Sequence, residues 1–163
     1  MATFDQNERN GSTDCADVAF RPPVLLAVFI AVGFVGRLVI PLPFLPQGVS
    51  LFAGIFVVTS SIAIFLWAAL TLVKAGKLIS DNGPADSIIT DGPFRRSRNP
   101  ICLSMIYLQI GIGFWVNSLW FVGLAIISAG LLTWGVIQRE ERYLEKKFGE
   151  EYIEYKSRVR RWG

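Results

Sequence analysis

The stretch GPFRRSRNP, residues 92–100, places Arg95, Arg96 and Arg98 within four positions. A pair of adjacent carboxylates, Glu140 and Glu141, stands just past the last apolar run of the chain. Guanidinium groups bind carboxylates and phosphates through paired N–H donors, and carboxylates bind ammonium or guanidinium groups in return. A site holding both kinds of charge suits a zwitterion, such as an amino-acid moiety. Asn99 and Pro100 also have a structural use. Asn is favoured at a helix N-cap and Pro at the first helical position. RNP is therefore expected to open a helix at Ile101, whose free N–H groups and partial positive charge favour anions.

Other chemistries are excluded by composition. The chain contains no histidine, which removes His-based metal sites and any Ser-His or Cys-His nucleophile. No metal is expected. The two cysteines, Cys15 and Cys102, are expected in or beside the cytoplasm, where a disulfide framework is not expected. No nucleic-acid module is present, and the net charge of +3 reads as membrane topology and attraction to anionic headgroups.

The elements that must position these residues are apolar. The 163 residues are enough for one domain, and 52% of them are hydrophobic, with mean hydropathy +0.45. Long apolar stretches cover about residues 24–45, 49–73, 101–116 and 119–137. A helix rises about 1.5 Å per residue, so roughly 20 residues cross the hydrocarbon core. The expected fold is all-α and integral to the membrane. It has about four transmembrane helices, the last two a tight hairpin turned at Asn117-Ser118, followed by amphipathic C-terminal helices on the cytoplasmic side. Residues 1–21 are expected to form a disordered cytoplasmic N-terminus, and 22–163 a single membrane domain. Residues 1–23 are polar and lean acidic, which argues against a signal peptide.

Fifteen of the sixteen lysines and arginines, and all thirteen acidic residues, fall in the N-terminus, the loop 74–100 and the tail 138–163. The connections 46–48 and 117–118 carry no charge. The positive-inside rule then places both termini and the loop in the cytoplasm. The tail is expected to be a helix to about Phe148, a break at Gly149 and a second short helix. Its aromatic residues suit the headgroup plane. Arg37, inside the first stretch, either snorkels to the outer headgroups or lines a substrate cavity.

A hairpin over 101–137 leaves the cytoplasmic side and returns to it, so Arg98-Asn99 and Glu140 must meet. If the helix runs on past Ile137, Glu140 and Glu141 point about 100° apart. One can then pair with an arginine of 95–98 while the other faces a ligand cation. The bland readings are headgroup anchoring for the arginines and a solvated helix face for the glutamates.

GPFRRSRNP, the hairpin, and then REERYLEKKFGEEYIEYKSRVRRW together resemble the isoprenylcysteine carboxyl methyltransferase and phospholipid methyltransferase superfamily of membrane enzymes. The resemblance covers about residues 88–163. It implies an S-adenosylmethionine-dependent methyltransferase with a cofactor pocket built from Gly92, Pro93, Arg95, Arg98, Asn99, Pro100, Glu140 and Glu141. Catalytic roles would fall to Arg98, Glu140 and Glu141. Arg98, or the N–H groups after Pro100, would take the cofactor carboxylate. Glu140 or Glu141 would take the ammonium or hold an arginine. Three positions depart from the family pattern: Asn99 stands where His is frequent, Cys102 where Tyr is frequent, and Phe94 for a usual Tyr. The Gly111-Ile112-Gly113 triplet reads better as close helix packing than as a cofactor motif.

With no histidine to act as base, the expected acceptor is a lipophilic molecule bearing an ionised group, such as a prenylcysteine-like carboxylate. The expected partners are therefore a lipophilic or lipid substrate and the membrane lipids. The alternatives are a phospholipid-amine methyltransferase, a membrane reductase of the sterol-reductase kind, and a non-catalytic membrane scaffold.

Overall fold

The computed structural model describes residues 21–76 and 87–163. The expected disordered N-terminus, apart from Arg21, lies outside the described residues, as do Cys15 and residues 77–86 of the loop expected to be cytoplasmic. The described chain is all-helical. It runs α1 (Pro22–Val39), α2 (Gln47–Lys74), a 3₁₀ turn (Gly92–Arg95), α3 (Pro100–Trp115), α4 (Leu119–Leu132), a π-helical turn (Thr133–Ile137), α5 (Gln138–Phe148) and α6 (Glu150–Arg158). From α4 to α5 the helix is continuous over Leu119–Phe148. Its apolar part ends at Ile137, where QREER begins.

Among the described residues three helices are long and apolar enough to cross a membrane: α1, α2 and the Leu119–Phe148 helix. At 16 residues α3 is shorter, about 24 Å against a core of about 30 Å. It does not extend through Asn117 and Ser118, because the chain turns there. Asn117 takes φ 49°, a left-handed conformation that Asn tolerates better than most residues. The protein is thus an integral membrane protein of about four helices. The first span is also shorter than its apolar stretch. The α1 helix stops at Val39, just before Pro41, whose ring cannot continue a helix.

Small residues let the helices approach. A Cβ on Gly54 would sit 2.4 Å from the Trp115 backbone nitrogen, and one on Gly111 2.9 Å from that of Val58. These contacts make the α2–α3 seam. A Cβ on Gly113 would meet the Phe121 Cβ at 2.7 Å, and one on Gly33 would meet the ring of the same residue at 2.8 Å. The Gly111–Gly113 pair therefore serves α2 on one side and α4 on the other. Polar side chains add cross-links: Ser61 Oγ donates to Ser104 O at 2.7 Å, Ser50 Oγ donates to Phe114 O, and Ser128 Oγ donates to Gln109 Oε1 at 3.0 Å. Such bonds are modest glue between membrane helices.

The two connections on the far side are bound to each other. Asn117 Oδ1 accepts from the Phe44 and Leu45 backbone N–H groups, both at 3.1 Å, and its Nδ2 donates to Leu45 O at 2.7 Å. Leu119 N donates to Leu42 O at 3.0 Å, and Trp120 Nε1 donates to Ile40 O at 2.9 Å. At the opposite end, Trp162 packs on the cluster of Cys102, Leu132, Val136 and Ile137. The tail therefore folds back under the hairpin.

Candidate functional site

The site begins with how GPF is held. Gly92 has φ 59°, and a Cβ there would come within 2.8 Å of Thr71 Oγ1 on α2, so only glycine fits the turn. Phe94 O accepts from the Tyr155 hydroxyl at 2.7 Å, which ties the 3₁₀ turn to α6. Ser97 is buried and donates through Oγ to Arg161 O at 3.0 Å, while Arg98 N donates to Arg160 O at 3.1 Å. The last residues of the chain thus run alongside Ser97-Arg98. Gly149, at φ 54° and ψ −125°, makes the break that lets α6 turn back.

Asn99 occupies the N-cap position of α3 but makes no side-chain capping bond. This corrects the capping expectation. Its φ and ψ of −134° and 63° lie outside the extended conformation of an ordinary cap, and its N–H instead donates to Ser97 Oγ at 3.2 Å. Pro100 is the first residue of α3, as the sequence indicates, and is buried.

The two clusters meet. Arg98 Nη1 lies 3.1 Å from Glu141 Oε1. Arg161 then grips the same carboxylate with two donors, Nε to Oε1 at 2.9 Å and Nη2 to Oε2 at 2.7 Å. Glu141 is only 5% exposed, so the buried charge is matched by two guanidiniums. Of the two carboxylates, Glu141 is therefore the one committed to arginine. Glu140, one residue earlier, is exposed and opens into a cavity of about 150 Å³.

That cavity is also lined by Arg98, Asn99, Glu141, Phe94, Tyr152 and Tyr155. Among the residues lining it, Arg98 carries buried polar atoms without full satisfaction. Its side chain is 9% exposed. Its Nε and Nη1 are buried with no hydrogen-bond partner among the described residues, the Nη1 contact with Glu141 being an ion pair out of hydrogen-bond alignment. Of the other residues in the expected pocket, Gly92, Pro93, Arg95 and Pro100 do not line the cavity. Gly92 and Pro93 shape the turn, and Arg95 is exposed, as is Arg96.

The electrostatics separate the roles. Loss of water around Glu140, and then the neighbouring Glu141 charge, hold its carboxyl above the usual carboxylate range. A ligand can reach the carboxylate through the cavity. Burial, then the charge of Glu141, pushes the Tyr152 phenol up to about 12, with the Arg98 guanidinium opposing in part. Burial and then Tyr152 push Tyr155 to about 12 as well, Arg98 again opposing. Both phenols therefore stay neutral near pH 7. The bonds to Glu141 raise the Arg161 guanidinium further.

Sequence reasoning missed Arg161. It sits in the basic run RVRRW, which reads as headgroup anchoring until the tail is seen to fold back. Tyr152, Tyr155 and Val159, expected in the headgroup plane, are instead buried against Ile88, Leu144 and Phe148. Their three- and four-residue spacing was the available signal. Among the described residues no group of His, Cys, Asp and Glu is placed to hold a metal.

A sequence model described as phospholipid methyltransferase matches residues 49–151. An uncharacterized protein of Haemophilus influenzae (strain ATCC 51907 / DSM 11121 / KW20 / Rd) is 44% identical over 61 residues, covering 37% of this chain and 95% of that protein. No solved structure matches with significance.

Proposed function

Because the chain belongs to the phospholipid methyltransferase family, and so to a group of membrane methyltransferases, we propose that it transfers a methyl group from S-adenosylmethionine to a lipophilic acceptor. Transfer takes place at the cytoplasmic membrane face. The cofactor supplies the methyl on a sulfonium, so what remains for the chain is binding, alignment and exclusion of water. The observation that carries the reading is that one cavity is lined by both the Arg98 guanidinium and the open Glu140 carboxylate. Arg98 binds the carboxylate of the cofactor's amino-acid end and Glu140 its ammonium. Glu141, gripped by Arg161, is the positioning group that holds Arg98 in place. The cavity admits only that small zwitterionic end. Sites for whole drug-sized ligands run to about 300–1,000 Å³, so the rest of the cofactor lies across the mouth.

The acceptor carries a group already ionised at pH 7, such as a prenylcysteine-like carboxylate. This follows from the shortage of bases. There is no histidine, Glu141 is doubly paired, and Tyr152 and Tyr155 hold their protons to about pH 12. A second reading, a phospholipid amine, is favoured by the family's own description and by one residue. In that reading Glu140, which has raised proton affinity and is open to the cavity, accepts the amine proton in place of holding the cofactor's ammonium.

The test is equilibrium binding of labelled S-adenosylmethionine to detergent-purified wild-type protein, Glu140→Gln and Arg98→Ala, with thermal melting as the folding control. Saturable binding by wild type, weakened about tenfold or more in each variant, is expected from the loss of one charge-assisted contact. A folded wild-type protein that binds no S-adenosylmethionine sinks the proposal. Methyl transfer to N-acetyl-farnesylcysteine, read as a base-labile ester, supports the carboxylate acceptor. Transfer to phosphatidylethanolamine instead supports the amine.

A further inference from the structure

At the other end of the bundle, away from Glu140, lies a second and larger cavity, about 670 Å³ in volume. Its walls include Arg37, Leu38, Gln47, Leu51, Trp115 and Asn117. Nothing in the methyl-transfer reading uses it. Its shape is built in, because the Asn117 bonds to Phe44 and Leu45, and the Leu119 bond to Leu42, lock the two connections that form its rim.

Arg37 is the feature that demands explanation. It is the one charged residue in 22–73, and 101–137 contain none. It is half-buried and makes no hydrogen bond or ion pair with any described residue. A cation in apolar surroundings is costly unless it is paired. The described residues offer no acid at this end, so the counter-charge comes from outside them. The surroundings reinforce the demand for an anion. Gln47 and Gly48 open α2 with no acidic residue in the first turn and no side-chain cap. Asn117 Nδ2 uses one of its two hydrogens on Leu45 O. Beside these polar groups stand Leu38, Leu51 and Trp115, which are exposed and apolar.

We propose that this cavity binds the phosphodiester headgroup of a membrane phospholipid from the leaflet opposite the Glu140 site. Arg37 pairs with the phosphate, and the wall of Leu38, Leu51 and Trp115 takes the glycerol and the upper acyl chain. A guanidinium matches a phosphate with paired N–H donors. The apolar wall is what separates a lipid from free phosphate, since an inorganic ion gains nothing from leucine and tryptophan. The proposal is independent of methyl transfer and holds whichever acceptor the other site uses.

Native mass spectrometry of the delipidated full-length protein in detergent tests it, with dioleoylphosphatidylglycerol as the probe. Dioleoylglycerol, which lacks the phosphate, and inorganic phosphate, which lacks the chains, are the comparisons. The expected result is one phosphatidylglycerol bound to wild type, about tenfold tighter than dioleoylglycerol. Arg37→Gln should remove that preference without changing dioleoylglycerol binding. Leu51→Trp, which fills the apolar side and leaves Arg37 intact, should weaken phosphatidylglycerol also and so guards against a folding artefact at Arg37. Unchanged phosphatidylglycerol affinity in folded Arg37→Gln overturns the proposal. So does displacement of the lipid by equimolar inorganic phosphate, which would make the cavity a free-anion site.

Discussion

Glu140 and Glu141 are neighbours in sequence and opposites in behaviour. Glu141 is buried between Arg98 and Arg161. Replacing it with Gln leaves two guanidiniums without their shared carboxylate. Breaking a buried pair costs about 3–5 kcal/mol, and the part-exposed Arg161 puts the expected loss near the lower figure. Glu141→Gln should therefore lower the melting temperature in detergent. Glu140→Gln should not. A carboxyl whose folded pKa is raised binds its proton more tightly in the folded state, so its contribution to stability falls as pH rises through the window between its unfolded and folded values. Ionising Glu140 therefore costs the empty protein stability, and Glu140→Gln should melt at the same temperature or higher while losing cofactor binding. Because Glu140 must be ionised to hold an ammonium, wild-type binding should also weaken as pH falls through a value above the ordinary carboxylate range. Melting and binding curves for the two variants, run side by side over pH, check all three outcomes. Equal melting losses would remove the division of roles. Both clusters were legible in the sequence, because charge in an apolar chain is conspicuous. Which carboxylate pairs was not, because it depends on Arg161 folding back from the tail.

At the scale of elements, the helices follow from apolar length, and their ends from local chemistry. The α3 helix stops at Trp115 because Asn117 turns left-handed and spends its side chain on the α1–α2 connection. Two substitutions separate those tasks. Asn117→Gly keeps the backbone freedom and loses three hydrogen bonds, at about 1 kcal/mol each. Asn117→Ala loses the same bonds and adds the left-handed penalty of about 1–2 kcal/mol. Thermal melting in detergent should rank wild type above Asn117→Gly, and Asn117→Gly above Asn117→Ala. Equal melting of all three would mean that helix packing alone sets the turn. The hairpin turn itself was readable from Asn-Ser between two apolar runs. Its grip on the Pro-rich connection was not, since nothing local in PLPFLPQG announces a partner more than seventy positions away. The tail shows the same limit. The break at Gly149 and the helices on either side were legible from composition, but the burial of Tyr152 and Tyr155 was not. An amphipathic face reads alike whether it meets lipid or protein.

For the whole molecule, the distribution of charge makes the two ends different. One end holds the loop leading into GPFRRSRNP, α5, α6 and the two glutamates. The other holds uncharged connections and Arg37. Two helical passages, α3 away and α4 back, put Arg98 and Glu141 at the same end, as their 3.1 Å contact requires. We propose from the positive-inside rule that this end faces the cytoplasm, since orientation follows lysine and arginine in short loops near the spans. S-adenosylmethionine would reach the cavity from there, and a lipophilic acceptor would arrive through the bilayer. The orientation can be checked with single cysteines in a background where Cys15 and Cys102 are replaced by alanine. Gln47→Cys and Lys146→Cys both fall on exposed residues at opposite ends. In intact cells a membrane-impermeant maleimide should label Gln47→Cys and spare Lys146→Cys. Permeabilised cells should show both labelled. The reversed pattern would put Glu140 outside the cell, away from its proposed cofactor supply, and would leave the cavity at Arg37 as the cytoplasmic one.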